Sequence, residues 1–401
     1  MNRRHGFKRI LRINADYFIY FTFILLFVSC IRGVPVSIEE PEPVIDPLRL
    51  IAAEIALSMD DHLLAAQLLI SGIDGNENLP HYTVNALTEI PAGGVMLFRY
   101  NLNAGNDNSR KLLTQVSSLI TNESGIPPFI AVDHEGGTVN RFQRGVATLP
   151  AASFYWELFQ SSESDAVLEK IEVDSYRAGR EINELGINMN FAPVAEYLIK
   201  ENRVFLERRS YGPDPYFTAH SAAAFIRGME RAGVICVVKH FPGSAGPDPH
   251  YAASVLDMEK DEINKLVYPF SFAINNGARA IMAAHTVVPV IDSKIASLSP
   301  IIMQNWLRGE LGFDGIILSD DFIMTAAGDL SPEEAAVLSI AAGSDMILVW
   351  PAHLKKTHEA ILAALEDGRL SHERLQDAAQ RVIYEKLRMG LLVHYSIESI
   401  E

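Results

Sequence analysis

Residues 216–240 read YFTAHSAAAFIRGMERAGVICVVKH, and this stretch already indicates the fold. Tyr216–Ala232 has the pattern of a helix, and Gly233 supplies the left-handed conformation that commonly closes one. Val234–His240 is apolar without alternation until its last two residues, which is typical of a parallel strand covered on both faces. The stretch therefore predicts a helix, a closing glycine, and a buried strand with a polar end.

This unit recurs along most of the chain. Further strands are predicted at Gly94–Phe98, Pro128–Asp133, Met189–Val194, Ala280–His285, Gly315–Asp320 and Asp345–Trp350. Further helices are predicted at Asp165–Leu185, Lys260–Asn276, Pro300–Leu311 and Pro332–Ala342, each followed directly by a glycine. Ser58 is predicted to cap an earlier helix. We predict an α/β fold and favour a (β/α)8 TIM barrel over a doubly wound sheet, although only seven strands are countable, partly because the dinucleotide fingerprint is absent.

The composition excludes several classes of protein. The 401 residues are 48% apolar and 21% charged, which is typical of a globular chain. The net charge of −16 argues against binding to a nucleic-acid backbone. Two cysteines, Cys30 and Cys236, cannot form a disulfide framework, and neither a structural zinc pattern nor a glycine-rich phosphate loop occurs. We therefore expect no metal, no other cofactor and no nucleic-acid partner.

The amino terminus is predicted to be a targeting segment. Residues 1–29 carry five basic residues against one acid, and their apolar run of 12 residues, Tyr17–Val28, is short for a spanning helix. Leu26–Cys30 resembles a bacterial lipobox, so we expect Cys30 to be lipidated and the chain to be exported and membrane-anchored on the periplasmic or cell-surface side. An uncleaved anchor and an ordinary signal are the alternatives. Residues 30–48 are then an acidic, proline-rich tether, residues 49–393 the folded domain and residues 394–401 a tail.

Polar side chains stand at the ends of several predicted strands. These residues are Asp133, Lys239, His240, His285, Ser319 and Asp320. In a barrel such ends converge on the face where active sites form. A single acid at such a place is commonly a helix cap, and Asp321 fits that interpretation, whereas Asp320 stands at the strand end and is better placed to point inward. Four such ends on one rim favour an active site.

The loop Gly243–His250 follows the strand that ends in Lys239 and His240. Two glycines and two prolines mark it as a loop. Asp248 and His250 are two residues apart, so the carboxylate can lie beside the imidazole and raise its pKa by stabilising the cation. In isolation a solvated pair is the simpler interpretation, but its position in this loop makes the pair a candidate for proton transfer.

Three segments together resemble glycoside hydrolase family 3. They are Asp133–Arg141 (DHEGGTVNR), Lys239–Gly243 (KHFPG) and Ser319–Asp321 (SDD). Supporting segments are Phe191–Val194, Arg209–Gly212 and Met282–Pro289, and all stand in family order. The resemblance is closest to the β-N-acetylhexosaminidase branch, which acts on N-acetylglucosamine residues of cell-wall fragments.

The resemblance implies a single catalytic (β/α)8 barrel and a retaining exo-β-N-acetylglucosaminidase without a cofactor. Asp320 matches the nucleophile, and His250, oriented by Asp248, matches the acid/base. The residues that match the sugar-binding positions are Asp133, Arg141, Arg209, Lys239, His240 and His285. A carboxylate on one side of the sugar and a proton donor on the leaving-group side are what a retaining glycosidase needs.

The chain departs from the family pattern around the acid/base loop. The loop is shorter than usual, Ser244 stands where a histidine is usual, and Pro249 stands between Asp248 and His250 where a serine is usual. Other departures are His134, Thr138 and Glu196, where glutamine, arginine and aspartate are common. These changes bear on the rate and the leaving-group preference more than on the fold.

Other functions stay open on sequence alone. A histidine acid/base leaves room for an anionic acceptor, so a β-N-acetylglucosaminide phosphorylase is one alternative. A carbohydrate-binding lipoprotein without catalysis is another. A metal-dependent barrel hydrolase could use Lys239, His240, His285 and Asp320, although the His-x-His pair expected on its first strand is absent.

Overall fold

The computed structural model describes residues 46–142, 145–246, 254–323 and 330–392. The predicted signal segment, Cys30, nearly all of the predicted tether, and the loop residues Asp248 and His250 lie outside these ranges. Within the described ranges, no helix has the length and apolar character needed to cross a membrane.

The strands are β1 (Leu69–Gly72), β2 (Gly94–Leu97), β3 (Phe129–Val132), β4 (His134–Gly136), β5 (Val139–Asn140), β6 (Met189–Asn190), β7 (Ile235–Phe241), β8 (Ser254–Val255), β9 (Ala280–Ala283), β10 (Thr286–Val288), β11 (Asp292–Ile295), β12 (Ile316–Ser319) and β13 (Ile347–Val349). The helices are α1 (Pro47–Ser58), α2 (Asp61–Gln67), α3 (His81–Glu89), α4 (Arg99–Leu102), α5 (Asn106–Ser124), α6 (Ala152–Phe159), α7 (Ser164–Asn183), α8 (Arg203–Leu206), α9 (Pro215–Arg231), α10 (Lys260–Asn275), α11 (Ile301–Glu310), α12 (Pro332–Ala342), α13 (Leu354–Glu366) and α14 (His372–Arg388). Short 3-10 turns lie at Glu207–Arg209, Ala296–Leu298 and Pro351–His353.

Eight parallel strands form a closed barrel. Their order is β12-β9-β7-β6-β3-β2-β1-β13, and every neighbouring pair in this order is parallel. The circle closes between β12 and β13, where Leu318 pairs with Met346 and the amide of Ser319 donates to the carbonyl of Met346 at 3.0 Å. The predicted (β/α)8 barrel is therefore confirmed.

The segment quoted first shows why these residues form these elements. Asp214 caps α9 by accepting bonds from the amides of Tyr216 and Phe217, and Pro215 occupies the first helical turn, where its missing N–H costs nothing. Gly233 has the positive φ of 81° that the pattern predicted. The following strand, β7, is buried along its whole length because helices cover its outer face and the barrel interior its inner face.

The core has two layers. Inside the barrel lies one cluster of apolar side chains that includes Phe129, Val237 and Leu318. A larger cluster fills the space between the strands and the helices. Val382 of α14 belongs to the inner cluster, so this last helix closes the end of the barrel from which the strands start.

Side chains at this closed end make buried and charged contacts. Lys386 of α14 is fully buried, donates to Gln67 Oε1 at 2.8 Å and lies 5.2 Å from the centre of the Phe129 ring. Asp46, the first described residue, accepts a bond of 2.6 Å from the Tyr384 hydroxyl. Tyr384 in turn shares a pocket with Arg279, which directly precedes β9.

Three details differ from the sequence prediction. The strand predicted at Met189–Val194 covers only Met189–Asn190. Ser58 ends α1 instead of capping the next helix, because Asp60 is the residue whose carboxylate accepts from the amide of Leu63. The strand β1 was not predicted, since the stretch from Leu63 to Ile70 contains no glycine or proline and Gln67 is its one polar residue. The five predicted helices from residue 165 onward are confirmed within two residues at each end.

Candidate active site

A cavity of about 260 Å³ opens at the carboxyl ends of the barrel strands. Charged side chains reach it from the ends of β3, β7 and β12, and aromatic side chains reach it from the ends of β2 and β13. Apolar residues of the barrel interior, Met96, Phe191 and Met282, also line it, so the cavity is closed at its base. This is the position at which barrel enzymes bind their substrates.

One side of the cavity is a chain of alternating charges, which we call the ion-paired wall (Asp133, Glu135, Arg141, Arg209 and Lys239). The two oxygens of Asp133 accept from Arg141 at 2.6 Å and from Lys239 at 2.8 Å. Lys239 Nζ also lies 2.7 Å from Glu135 Oε1. Arg209 donates two bonds of 2.8 Å to the two oxygens of Glu135, the bidentate geometry that fixes both side chains.

Local structure brings these residues together. Asp133 follows β3 directly, and the antiparallel pair β4 and β5 carries Glu135 and then returns the chain to Arg141. The turn between them needs Gly137, which has a φ of 58° and at which a Cβ would lie 2.6 Å from the Cβ of Ala151. A closely approaching backbone thus holds the hairpin against the barrel rim.

The wall stays ionised at neutral pH because its charges compensate one another. Burial raises the pKa of Glu135, but Arg209 and Lys239 outweigh burial and hold this pKa well below its usual range. Burial also raises the pKa of Asp133, and Lys239 and Arg141 outweigh it. Burial lowers the pKa of Lys239, whereas the two carboxylates raise it above its usual value.

A second buried carboxylate holds His240. Glu196, which is 0% exposed, accepts from Nδ1 of His240 at 2.7 Å and from the backbone amide of His240 at 3.3 Å. Its other oxygen accepts from the amide and the hydroxyl of Ser244, both at 2.6 Å. Since a carboxylate only accepts, Nδ1 of His240 carries a proton, and the ring is fixed beside the cavity that it lines. Burial raises the pKa of Glu196, but the bonds from His240 and Ser244 lower it overall.

Asp320 lies at the cavity directly after β12. Its Oδ1 accepts from the backbone amide of Asp321 at 2.8 Å, and its own amide donates to the carbonyl of Ala283 at 3.2 Å. Asp321 also lines the cavity. Its carboxylate accepts from the indole N–H of Trp350 and, at 3.0 Å, from the amide of Ile323, and burial raises its pKa.

His285 lies behind the cavity lining, next to the Asp320–Asp321 segment. Its Nε2 donates to the carbonyl of Asp321 at 3.0 Å, and its Nδ1 accepts from the Ser297 hydroxyl at 2.8 Å. Its ring stacks on Phe322 with 4.6 Å between the ring centres. Burial lowers the pKa of His285, so the ring is neutral at neutral pH and orients the backbone that carries Asp321.

The structure brings most of the predicted site residues to one cavity. Those that line it are Asp133, Arg141, Arg209, Lys239, His240 and Asp320. His285 is adjacent, as described, whereas Asp248, His250 and Cys30 lie outside the described residues. Among the residues that the structure describes, no group of three or more His, Cys, Asp or Glu side chains is arranged to hold a metal ion.

Sequence reasoning did not single out three residues of this cavity. Glu135 stands inside the quoted DHEGG segment, but its partner Arg209 is 74 residues away, so their pairing has no local signal. Phe98 and Trp350 end two predicted strands, and the sequence pattern indicates no role for their aromatic side chains beyond the strand itself. Their position at strand ends was the available signal, because every residue at such an end faces the same rim.

Comparison with known protein families identifies the family of this chain. The profile of the "Glycosyl hydrolase family 3 N terminal domain" matches residues 61–384. The chain belongs to glycoside hydrolase family 3. The resemblance inferred from the sequence, and the prediction of a glycoside hydrolase, are thus confirmed.

Relatives in this family are similar over most of the barrel. A β-hexosaminidase of Stenotrophomonas maltophilia is 33% identical over 300 residues, which are 74% of this chain and 86% of that protein. The structure of a family 3 β-N-acetylglucosaminidase from Paenibacillus sp. is 30% identical with a TM-score of 0.77, and the match covers 85% of this chain and 64% of that one. The structure of NagZ from Neisseria gonorrhoeae in complex with N-trifluoroacetyl-D-glucosamine is 27% identical with a TM-score of 0.67, covering 79% of this chain and 97% of that one. The chain thus spans less than two thirds of the length of the Paenibacillus protein.

Proposed function

We propose that this chain is a retaining exo-β-N-acetylglucosaminidase, which removes terminal N-acetylglucosamine from peptidoglycan fragments or related oligosaccharides. The observation that carries the proposal is the carboxylate of Asp320, which directly follows β12 and lines the same cavity as the ion-paired wall. The relatives named β-hexosaminidase and β-N-acetylglucosaminidase support the substrate class. The closed base supports exo action, because only the end of a saccharide chain fits such a cavity.

The reaction has two steps. Asp320 attacks the anomeric carbon and forms a glycosyl ester while His250, oriented by Asp248, gives its proton to the departing oxygen. His250 then takes a proton from water, the resulting hydroxide cleaves the ester, and Asp320 is released as a carboxylate. A histidine has an ordinary pKa of about 6.5 and can therefore both give and take a proton near neutral pH.

The ion-paired wall binds the hydroxyl groups of the sugar. Asp133 and Glu135 are acceptors, and Lys239 has three N–H donors, of which two face these carboxylates and the third has no partner among the residues that the structure describes. Arg141, Arg209 and His240 are further donors at the cavity. Because bonds within the wall fix these side chains beforehand, binding orders few of them anew.

The test is hydrolysis of aryl β-glycosides that differ at position 2, N-acetyl against hydroxyl. The wild type should prefer the N-acetyl substrate, and Asp320→Ala should lower its kcat by about 10⁴-fold or more. Asp107→Asn, which changes an exposed carboxylate on α5, is the control and should act as the wild type. Unchanged activity of Asp320→Ala would remove this residue from the mechanism.

The same assay separates the alternatives. Strong acceleration by phosphate, with a sugar 1-phosphate as product, would identify a phosphorylase. Binding of N-acetylglucosamine without turnover would identify a binding protein, and loss of activity on chelation would identify a metal enzyme. With His250 as the acid, kcat should fall as the pH rises above the pKa of His250, and a flat profile into alkaline solution would contradict that role.

We further propose that the chain is exported and acylated at Cys30. The support is the basic and apolar order of residues 1–29 with the lipobox-like Leu26–Cys30. Growth with radiolabelled palmitate should label the wild type and leave Cys30→Ser unlabelled. Equal labelling of the two proteins would exclude Cys30 as the acylated residue.

A further inference from the structure

Three aromatic rings form a stack at the cavity, in which Trp350 and Phe98 line the cavity and Tyr100 continues the stack beyond the lining. Trp350 and Phe98 lie 4.8 Å apart between ring centres at an angle of 14°. Phe98 and Tyr100 lie 5.8 Å apart at 11°. We call these residues the aromatic platform (Trp350, Phe98 and Tyr100). Trp350 directly follows β13 and Phe98 directly follows β2, with β1 between these strands in the barrel.

The platform and the ion-paired wall occupy different arcs of the barrel rim. The wall comes from the end of β3, the β4–β5 hairpin, the turn Glu207–Arg209 and β7, whereas Phe98 and Trp350 of the platform follow β2 and β13. Asp320 follows β12, which is the neighbour of β13 at the closure of the barrel. The cavity thus has a polar side that suits hydroxyl groups and an apolar side that suits the C–H face of a sugar ring.

Trp350 and Tyr100 of the platform are more exposed than Lys239 of the wall. Lys239 of the wall is 4% exposed, whereas Trp350 is 37% and Tyr100 is 40% exposed. A terminal sugar held by the wall lies deep in the cavity, and the rest of the saccharide must leave through the open mouth. The mouth is where the exposed edge of the platform lies, so the next sugar unit passes beside it.

Trp350 is held rigidly for such a contact. Its indole N–H donates to the carboxylate of Asp321, the neighbour of Asp320, and one ring face is covered by Phe98. A large side chain fixed in this way loses little conformational entropy when a ligand covers its remaining surface. For comparison, Trp306 in the core is only 7% exposed, so exposure is not shared by every tryptophan of the chain.

We propose that the aromatic platform binds the pyranose ring on the leaving-group side of the scissile bond, with Trp350 as its main contact. This inference rests on the proposed glycosidase function and adds a subsite for a second sugar unit. The ligand is an oligosaccharide whose second unit turns its C–H face to the indole, since axial C–H groups carry partial positive charge and the ring face is negative. The platform thereby makes saccharide leaving groups better substrates than small ones.

The test compares a substrate that reaches the platform with one that does not. N,N′-diacetylchitobiose has a sugar as leaving group, and N-acetyl-β-D-glucosaminyl azide has a small one. Trp350→Ala should lower kcat/KM for chitobiose about tenfold relative to the azide, which corresponds to 1.4 kcal/mol. Trp350→Phe keeps a ring but loses the bond to Asp321, and it should recover most of this loss. Tyr216→Ala, at an exposed aromatic residue on the outer helix α9, is the control and should change neither value.

Each outcome decides the proposal. An equal loss for both substrates would assign Trp350 to positioning Asp321 instead of binding, and no loss for either would leave the platform without a role; both results overturn the proposal. Binding is measured separately by calorimetry in an Asp320→Ala background, where Trp350→Ala should weaken chitobiose more than N-acetylglucosamine. If the wild type hydrolyses neither substrate, the proposed function fails, and the binding comparison still decides whether a second sugar contacts the platform.

Discussion

Replacing Glu196 by glutamine tests how a buried carboxylate supports His240 at the cavity. One oxygen of this buried carboxylate accepts two bonds from His240, at 2.7 and 3.3 Å, and the other accepts two bonds of 2.6 Å from Ser244. Glutamine keeps the shape of the side chain but has an NH2 group in place of one oxygen. Whichever way the amide turns, this group meets two donors, and two hydrogen bonds are lost.

The magnitude follows from these bonds. Each bond to a charged acceptor is worth about 1.5–3 kcal/mol, and disrupting a buried charged pair typically costs about 3–5 kcal/mol. We expect Glu196→Gln to lower the free energy of unfolding by about 3–5 kcal/mol. The domain from Asp46 onward has roughly 350 residues, which at about 2.1 cal/mol/K each gives an unfolding entropy of about 0.7 kcal/mol/K. The Tm should therefore fall by about 4–7 °C.

Calorimetry and urea unfolding of the full chain measure the effect. Ser244→Ala removes one donor and should lower the free energy of unfolding by about 1.5–3 kcal/mol. Ser161→Ala removes a surface hydroxyl whose one bond among the described residues is to the carbonyl of Leu158, and it should stay within about 0.5 kcal/mol of the wild type. A Tm of Glu196→Gln within 1 °C of the wild type, or a smaller loss than that of Ser244→Ala, would refute the reasoning.

Three further predictions concern charge and backbone geometry. Arg209→Met removes the bidentate partner of Glu135. The lowered pKa of Glu135 contributes stability that is present above about pH 4.5 and is lost as the pH falls through the pKa of the folded state. The variant should therefore unfold at a higher pH in an acid titration followed by circular dichroism, and an unchanged midpoint would contradict this. Burial lowers the pKa of Lys386 to about 7, so the folded state binds fewer protons than the unfolded state between about pH 7 and 10.4. In this pH range Lys386 should make the free energy of unfolding rise with pH by about 1.4 kcal/mol per pH unit. Lys386→Met should remove this slope. Gly243→Ala places a Cβ 2.7 Å from a methyl group of Leu266 at a φ of 130°, and it should lower the free energy of unfolding in urea by about 1–3 kcal/mol. Gly309→Ala in α11 is the control and should not lower it, because this position has ordinary contacts and no positive φ.

The sequence predicted the barrel because its repeating unit is local. A helix, its closing glycine and the next buried strand stand within about 30 residues, and each carries its own pattern. The first strand was missed since Leu69–Gly72 continues the apolar run of α2, and periodicity cannot divide such a run. The prediction was therefore right where a glycine or a proline separates two elements, and it was incomplete where no such residue occurs.

The site was predictable only in part for a related reason. A polar residue at a strand end is visible in the sequence, and Asp133, Lys239 and Asp320 were found in this way. What such a residue bonds to depends on chain segments far away, as the pairing of Glu135 with Arg209 shows. The sequence does not show that an apolar residue at a strand end, such as Trp350, lines a cavity. A tryptophan in the core and a tryptophan at a cavity have the same sequence pattern, so only the neighbouring residues in space distinguish them.

The contact between Asp46 and Tyr384 separates the start of the described domain from the cavity. It fixes Asp46 beside Arg279, at the end of the barrel from which the strands begin, whereas the cavity opens where the strands finish. The first described residue and the mouth therefore lie at opposite ends of the barrel, so a substitution at Asp46 or Tyr384 alters the closed end without changing any residue that lines the cavity.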